Sequence, residues 1–147
     1  MDWGGKIVSS HGSSHSRGVM ILFKPRLDVN NEKITSDGHR RNILVEIVID
    51  NTKVVLVNVN TPNNPNQQVV FLKGLSNNLL SKYGNENLGL GGNINCIIGT
   101  LDKRGGKPVD IRKASTIEFK ALIKIHNLLD TWRYKNPDSF GPMWVNP

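Results

Sequence analysis

The chain has 147 residues, of which 37% are hydrophobic and 21% are charged, a composition typical of one soluble globular domain. A single cysteine excludes an internal disulfide and favours an intracellular, reducing environment. Lysine and arginine outnumber aspartate and glutamate by 19 to 12, and the net charge of +7 favours polyanionic partners, nucleic acid first. The apolar runs are too short to span a membrane and the first residues lack a signal-peptide pattern, so we expect a soluble protein.

The first part of the chain predicts strands. A Ser/Gly-rich loop at 9–18 leads into a buried strand at 19–25, whose apolar run ends at a proline. After a polar stretch at 28–41, the segment 42–50 alternates apolar and polar side chains with the period of two that is typical of a strand. A β-branched segment at 53–60 returns after a tight turn, and we interpret the last two strands as a hairpin.

A first helix is predicted over 67–84. Its apolar residues recur at helical spacing and share one face: Val69, Leu72, Leu75 and Leu79. A glycine-flanked strand follows, with Asn93 and Asn95 spaced so that both side chains point to the same face.

A second helix is predicted to start at a capping box formed by residues 115–118 (Ser-Thr-Ile-Glu). Its apolar face consists of Phe119, Leu122, Ile125 and Leu129. The tail from Asp130 onward is interpreted as a loop with at most a short strand. This order of elements predicts an α/β or α+β arrangement, in which helices pack on a mixed sheet.

Three familiar kinds of site have little support in the sequence. The stretch "GLGGNINC" lacks the third glycine and the following helix of a dinucleotide-binding loop. His11 and His15 have a spacing that binds zinc on a helix, but they lie in the Ser/Gly loop, where solvated histidines are the simpler interpretation. Cys96 is interpreted as a buried core thiol, because no histidine is placed beside it. We therefore predict no metal site.

Two polar segments remain as candidates for binding. The asparagine-rich loop around Pro62 is either an ordinary turn or a neutral hydrogen-bonding surface for phosphate oxygens. A second loop carries flexible cations that can reach the phosphates of DNA. These cations are Lys103, Arg104, Lys107, Arg112 and Lys113.

Four segments, in the same order along the chain, resemble motifs of the endonuclease/exonuclease/phosphatase family, above all the endonuclease domains of non-LTR (LINE-type) retrotransposons. These domains are relatives of AP endonucleases and DNase I. Residues 3–23 resemble the part that follows the family's metal-binding glutamate, and residues 36–64 resemble its strand pair ending in Asn-x-Tyr-x-Pro-Asn. "LGGNINC" resembles its Gly-Gly-Asp-Phe-Asn-Cys, and "LLDTWRYKNPD" resembles its Leu-x-Asp-x-Trp-Arg-x-x-x-Pro.

The resemblance implies a DNase I-like, four-layer α/β sandwich, in which two packed mixed sheets are flanked by helices. It also implies a Mg²⁺-dependent phosphodiesterase site between sheet edges, with DNA as the substrate of the retrotransposon members. Asn95 and Asn63 match the family's phosphate-binding asparagines. Asn60 stands where the family has tyrosine, and Asn93 stands where it has the catalytic aspartate. An amide takes up no proton at neutral pH and offers a cation no charge.

The resemblance further implies that residues 1–147 form a single partial domain, without the family's first strand or strands and its C-terminal strands. The metal-binding glutamate and the catalytic histidine fall outside it, so we expect no specific Mg²⁺ binding and a catalytically inactive, retrotransposon-derived domain. Uncovered sheet edges then predict association with other chains. The alternatives are a non-catalytic nucleic-acid-binding module that uses the basic loop 103–113, and a working Mg²⁺-dependent nuclease with an altered site.

Overall fold

The computed structural model describes residues 3–13, 16–99, 102 and 113–139. The described residues divide into two compact units. Unit 1 lies within Met1–Thr61 and Tyr83–Ile94, and unit 2 lies within Pro62–Lys82 and Asn95–Pro147. In the part of the chain that is described, no helix has the length and apolar character needed to cross a membrane.

Unit 1 consists of two β-sheets. The smaller sheet is an antiparallel pair, β1 (Ile7–Ser13) and β2 (Ser16–Leu22). The larger sheet has the order β3-β4-β5-β6, and its last pair is parallel while the others are antiparallel. Its strands are β3 (Asn30–Ser36), β4 (Asn42–Ile49), β5 (Thr52–Asn60) and β6 (Asn87–Asn93).

The predicted hairpin is confirmed as β4 and β5. Its turn residues, Asp50 and Asn51, both have positive φ, 48° and 60°. A two-residue turn of this kind matches the twist of the flanking strands, and short polar residues such as aspartate and asparagine tolerate it best. The register that follows is regular, from Ile49 opposite Thr52 to Asn42 opposite Val59.

The core of unit 1 lies between its two sheets. The buried side chains come from both: Val8, Val19 and Phe23 from the smaller sheet and its exit, and Ile43, Val45 and Ile47 from β4. The contribution of alternate residues from β4 follows from the two-residue period of a strand. This packing against the smaller sheet stabilises the larger sheet, and the ends of the larger sheet's strands carry the candidate site.

Two predicted loops are strands in the structure. The Ser/Gly segment 9–18 contributes most of β1 and the start of β2, and the polar stretch 28–41 contains β3. On β3 every side chain whose burial is described is exposed, so the strand shows no apolar alternation and its sequence looks like a loop. The strand is held by pairing with β4, and Lys33 also forms an ion pair with Glu46 of β4.

Unit 2 contains the helices. The helix α1 (Pro65–Gly74) is capped by Asn64, whose side-chain oxygen accepts from the N–H groups of Asn66 and Gln67. A π-helical turn (Leu75–Leu79) and a 3₁₀ turn (Leu80–Tyr83) follow it along the chain, and Tyr83 already belongs to unit 1. The wider π-helical turn shifts the buried face by one position, so Leu80 is fully buried where Leu79 was predicted.

The second predicted helix is observed as α2 (Ala114–Ile125), but the predicted capping box is wrong. Lys113 occupies the N-cap and makes no side-chain capping bond, while Thr116 donates to the backbone oxygen of Ile97. Phe119 and Leu122 are buried as predicted, whereas Ile125 and Leu129 are exposed.

The tail, predicted as a loop, contains a short helix α3 (Thr131–Lys135). The Asp130 side chain caps it by accepting from the N–H of Arg133. The predicted class, α/β with two packed sheets and helices, is confirmed, although the smaller sheet is antiparallel rather than mixed.

Candidate functional site

Asn60 and Asn93 are neighbours at the ends of two adjacent strands. They are register partners in the parallel pair β5–β6, and the backbone oxygen of Asn93 accepts from the N–H of Thr61 at 2.9 Å. Because parallel strands end at the same edge of a sheet, both amides lie at that edge. Asn93 is exposed and Asn60 is half-buried.

Arg41 extends this arrangement to a third strand. It lies one position beyond the Asn42–Val59 register pair, which places it opposite Asn60, and its backbone oxygen accepts from the N–H of Asn60 at 2.8 Å. Its Nη1 also donates to the backbone oxygen of Asn60 at 3.1 Å. We call Arg41, Asn60 and Asn93 the strand-end row.

Two glycines of β6 give the strand-end row its local shape. Gly92 has a φ of +116°, and a Cβ there would come within 2.1 Å of the backbone oxygen of Val59. Only glycine therefore lets β6 run this close to β5. At Gly91, by contrast, a Cβ would meet nothing within 4 Å, so the position two residues before Asn93 is open.

The other two predicted asparagines pair with each other in unit 2. The Nδ2 of Asn95 donates to the Oδ1 of Asn63 at 2.9 Å, and the Nε2 of Gln68 donates to the backbone oxygen of Asn95 at 3.1 Å. Asn95 has a positive φ of 53°, a conformation that asparagine adopts more readily than most residues. The structure thus pairs Asn63 with Asn95 and, separately, Asn60 with Asn93.

The remaining asparagines of this loop have structural roles. Asn58 donates from Nδ2 to the backbone oxygen of Met20, which joins the two sheets of unit 1. Asn64 caps α1. For these two residues the simple turn or cap interpretation accounts for the side chain.

The described residues do not offer a site for Mg²⁺. They contain no group of three or more His, Cys, Asp or Glu side chains close enough to hold a metal ion. The side chains at both asparagine pairs are neutral amides, which lack the carboxylates that Mg²⁺ prefers. The predicted absence of a metal site at His11 and His15 stays a prediction, because His15 lies outside the described residues.

Cys96 is buried in the structure, as expected for a core thiol. Burial raises the pKa of the thiol, and a hydrogen bond with Ser115 offsets this only in part. His126 pairs with Ser76 instead, with 2.9 Å between the Nε2 and Oγ atoms. The arrangement gives Cys96 no feature of a nucleophile.

The basic loop lies mostly outside the described residues. Of its five candidate cations, Lys113 is described and is exposed immediately before α2, whereas Lys103, Arg104, Lys107 and Arg112 fall outside the described part. Arg41 is not among the site residues predicted from the sequence. The signal that could have found it is the hairpin register, which already places Arg41 opposite Asn60 once the turn at Asp50 and Asn51 is fixed.

A comparison with models of known protein families finds no match. The "Transposon TX1 uncharacterized 149 kDa protein" of Xenopus laevis is 27% identical to this chain over 145 residues. The similarity covers 99% of this chain and 11% of that protein, so the chain spans about a tenth of its length. The structure of truncated Caenorhabditis elegans TDP2 is similar with a TM-score of 0.49 and 18% identity, over 63% of this chain and 41% of that chain. The chain is therefore similar, over nearly all of its residues, to part of a transposon protein.

Proposed function

We propose that this chain is a retrotransposon-derived domain of the endonuclease/exonuclease/phosphatase type that binds nucleic-acid phosphates without hydrolysing them. The observation that carries the proposal is the register pair of Asn60 and Asn93 at the ends of β5 and β6. The sequence resemblance assigns tyrosine and the catalytic aspartate to these positions.

The chemistry of this pair supports binding rather than hydrolysis. An amide donates hydrogen bonds to phosphate oxygens, and asparagine is among the side chains that contact the nucleic-acid backbone. It cannot act as a general base at neutral pH, nor does it neutralise a divalent cation. The described residues do not fit Mg²⁺, so the proposed function involves no hydrolysis assisted by that ion.

Two further observations support the assignment. The similarity to a transposon protein extends over 99% of this chain, which agrees with the four motifs found in order along it. The net charge of +7 favours a polyanionic partner. We also propose that the nucleic acid is DNA and that the chain associates with other chains through uncovered sheet edges.

The absence of catalysis is tested by incubating the purified protein with supercoiled plasmid and Mg²⁺. We expect no nicking above buffer. The Asn95→Ala variant is the matched control, because it removes a predicted phosphate ligand and leaves Asn93 in place. Nicking by the wild-type protein that disappears in this variant would contradict the proposal, whereas equal nicking by both identifies a contaminating nuclease.

The alternative, a binding module that uses the basic loop, is favoured by the exposed cation Lys113 at the end of that loop. It predicts that a Lys103/Arg104/Lys107 triple alanine variant reduces the slope of log affinity against log salt by about 2 to 3. The matched control removes three exposed lysines of unit 2 elsewhere: Lys120, Lys124 and Lys135. An equal loss of slope in both variants would show a diffuse charge effect and contradict a role specific to this loop.

A further inference from the structure

The strand β1 has an unpaired edge. It pairs with β2, and in the part of the chain that the structure describes no strand pairs with its other side. The backbone N–H of Phe23 donates to the backbone oxygen of Lys6 at 2.9 Å, which identifies the residue pairs that exchange hydrogen bonds within the β1–β2 hairpin. Backbone groups alternate between the two edges of an antiparallel strand, so those of Ile7 and Ser9 point away from β2.

The opposite edge of the hairpin is partly occupied. By the same alternation, Met20 directs its backbone groups to the outer edge of β2, and its oxygen accepts from the Nδ2 of Asn58 at 2.6 Å. The Asn58 side chain of the larger sheet thus uses an acceptor that an added strand would need. Strand addition to the smaller sheet is therefore favoured at β1.

The edges of the larger sheet are less suited to pairing with another chain. A register shift between Asn30 and Lys33 interrupts β3, which also carries the charges of Glu32 and Lys33. Natural sheets use irregularities and charges of this kind to block their edges. The glycines of β6 weaken it as a strand and specify its register poorly. By contrast, β1 contains no proline, lysine, arginine, aspartate or glutamate.

The charge of the chain favours an uncharged contact between copies. Two copies that each carry a net charge of +7 repel one another, and this repulsion is smallest where the facing segments carry no net charge. With its histidine neutral, β1 has no formal charge, and Lys6 just before it is paired with Glu32 at 2.6 Å. The strand can therefore lie against its own copy without direct repulsion between like charges.

Apolar side chains adjoin this edge on the outer face of the hairpin. Ile7 and Leu22 are register partners, and Met20 lies two residues from Leu22 on the same face of β2. All three side chains are exposed. An added strand would cover Ile7 on the side that β2 does not reach, because directly opposed and diagonal side chains of neighbouring strands contact one another.

We infer that β1 pairs antiparallel with β1 of a second copy of this chain, which gives a continuous four-stranded sheet in the order β2-β1-β1-β2. The inference rests on the proposed association through sheet edges, because it names the edge and the partner. A twofold axis requires both copies to use the same residues. An axis at Ser9 places Ile7 of each copy opposite His11 of the other, where their outward backbone groups bond across the axis.

The first test compares Ile7→Lys with Ile34→Lys by sedimentation velocity over a range of protein concentrations. The two isoleucines are similarly exposed, 53% and 49%, and lie on different edge strands, β1 and β3. Because the interface contains the substitution twice, we expect Ile7→Lys to raise the dimer dissociation constant about tenfold, and Ile34→Lys to change it little.

The outcomes separate the inference from the proposal on which it rests. A dimer that Ile7→Lys weakens no more than Ile34→Lys overturns the inference, while the proposed association through sheet edges stands. Wild-type protein that stays monomeric at every concentration overturns both. Neither result involves nucleic acid, so phosphate binding is decided independently.

A second measurement uses the unaltered protein and so does not depend on a folded variant. Amide hydrogen exchange is followed by NMR at several protein concentrations. The N–H groups of Ile7 and Ser9 should become protected as the concentration rises, since they point to the unpaired edge. Those of Val8 and Ser10 face β2 and should be protected throughout. Exchange at Ile7 and Ser9 that does not depend on concentration overturns the inference.

Discussion

Asn95 donates a 2.9 Å side-chain hydrogen bond to Asn63, and it does so from a backbone with a φ of +53°. The amide and the backbone conformation are therefore two separate contributions of the same residue. An alanine at this position loses both, whereas a glycine loses only the amide.

We predict that Asn95→Ala lowers the free energy of unfolding by about 2 kcal/mol, the sum of one hydrogen bond and a left-handed alanine. Asn95→Gly should cost about 1 kcal/mol less than Asn95→Ala. Asn63→Ala removes only the acceptor and should cost about 1 kcal/mol. Urea unfolding of the three variants measures these differences, and equal losses for alanine and glycine at 95 would contradict the assigned strain.

Gly92 and Gly91 form a matched pair for a test of close strand packing. Gly92→Ala places a Cβ within 2.1 Å of the Val59 backbone oxygen and forces a φ of +116° on alanine. We expect it to lower the free energy of unfolding by about 3 kcal/mol or more, or to prevent folding. Gly91→Ala meets open space and should change stability by less than about 1 kcal/mol in either direction. Thermal unfolding of both variants measures the difference in stability. Similar losses of stability in the two variants would show that β6 does not approach β5 this closely.

Glu46 is expected to make stability depend on pH. Partial burial raises its pKa, but hydrogen bonds from Tyr83 and Lys33, with the charges of Lys33 and Lys53, lower the pKa overall below the ordinary value of 4.5. A carboxyl whose pKa is lower in the folded state stabilises the protein above its unfolded pKa, and this stability is lost as the pH falls through the folded pKa.

Glu46→Gln should therefore lower the free energy of unfolding at neutral pH, by about 1 kcal/mol, and match the wild type once the pH is well below 4.5. Denaturant unfolding across this pH range measures the effect. The control is Glu118→Gln, which removes one ion pair of 4.0 Å with Lys73 and should change stability little. A Glu46→Gln effect that persists at low pH would indicate lost packing instead of lost charge.

Cys96 should be unreactive in the folded protein. Its side chain is buried and burial raises the pKa of the thiol, so little thiolate is present at neutral pH. We expect alkylation by iodoacetamide to proceed only at the rate of unfolding and to become fast in denaturant. Because the hydrogen bond with Ser115 lowers the pKa of the thiol, Ser115→Ala should not speed labelling unless it destabilises the fold. Rapid labelling of the native protein would contradict a core position.

The hairpin β4–β5 could be predicted from sequence because Ile43, Val45 and Ile47 alternate and are buried between two sheets. The strand β3 could not, because an exposed edge strand leaves no apolar period in the sequence, and its pairing with β4 depends on contacts distant along the chain. Leu80 is buried where the sequence predicted Leu79, and this difference has another cause. A π-helical turn changes the helical period and so changes which residues face the core.

The candidate site was predicted in part for similar reasons. The motif resemblance identified Asn60 and Asn93, and strand pairing makes them neighbours. The neighbourhood of Arg41 and Asn60 was missed because it depends on pairing across the hairpin, which single-residue patterns do not show. The short helix α3 was missed because five residues carry too little periodicity, although its Asp130 cap was visible in the sequence.

The turn at Asp50 and Asn51 determines more than the direction of the chain. The hairpin register continues without a bulge from this turn to Asn42 and Val59. One residue inserted at the turn would bring Val59 or Thr61 opposite Arg41 and move the amide of Asn60 to the other side of the sheet. Two residues with positive φ thus act as a spacer for the far end of the hairpin, and the length of this turn is as much a requirement for the strand-end row as the identity of its side chains.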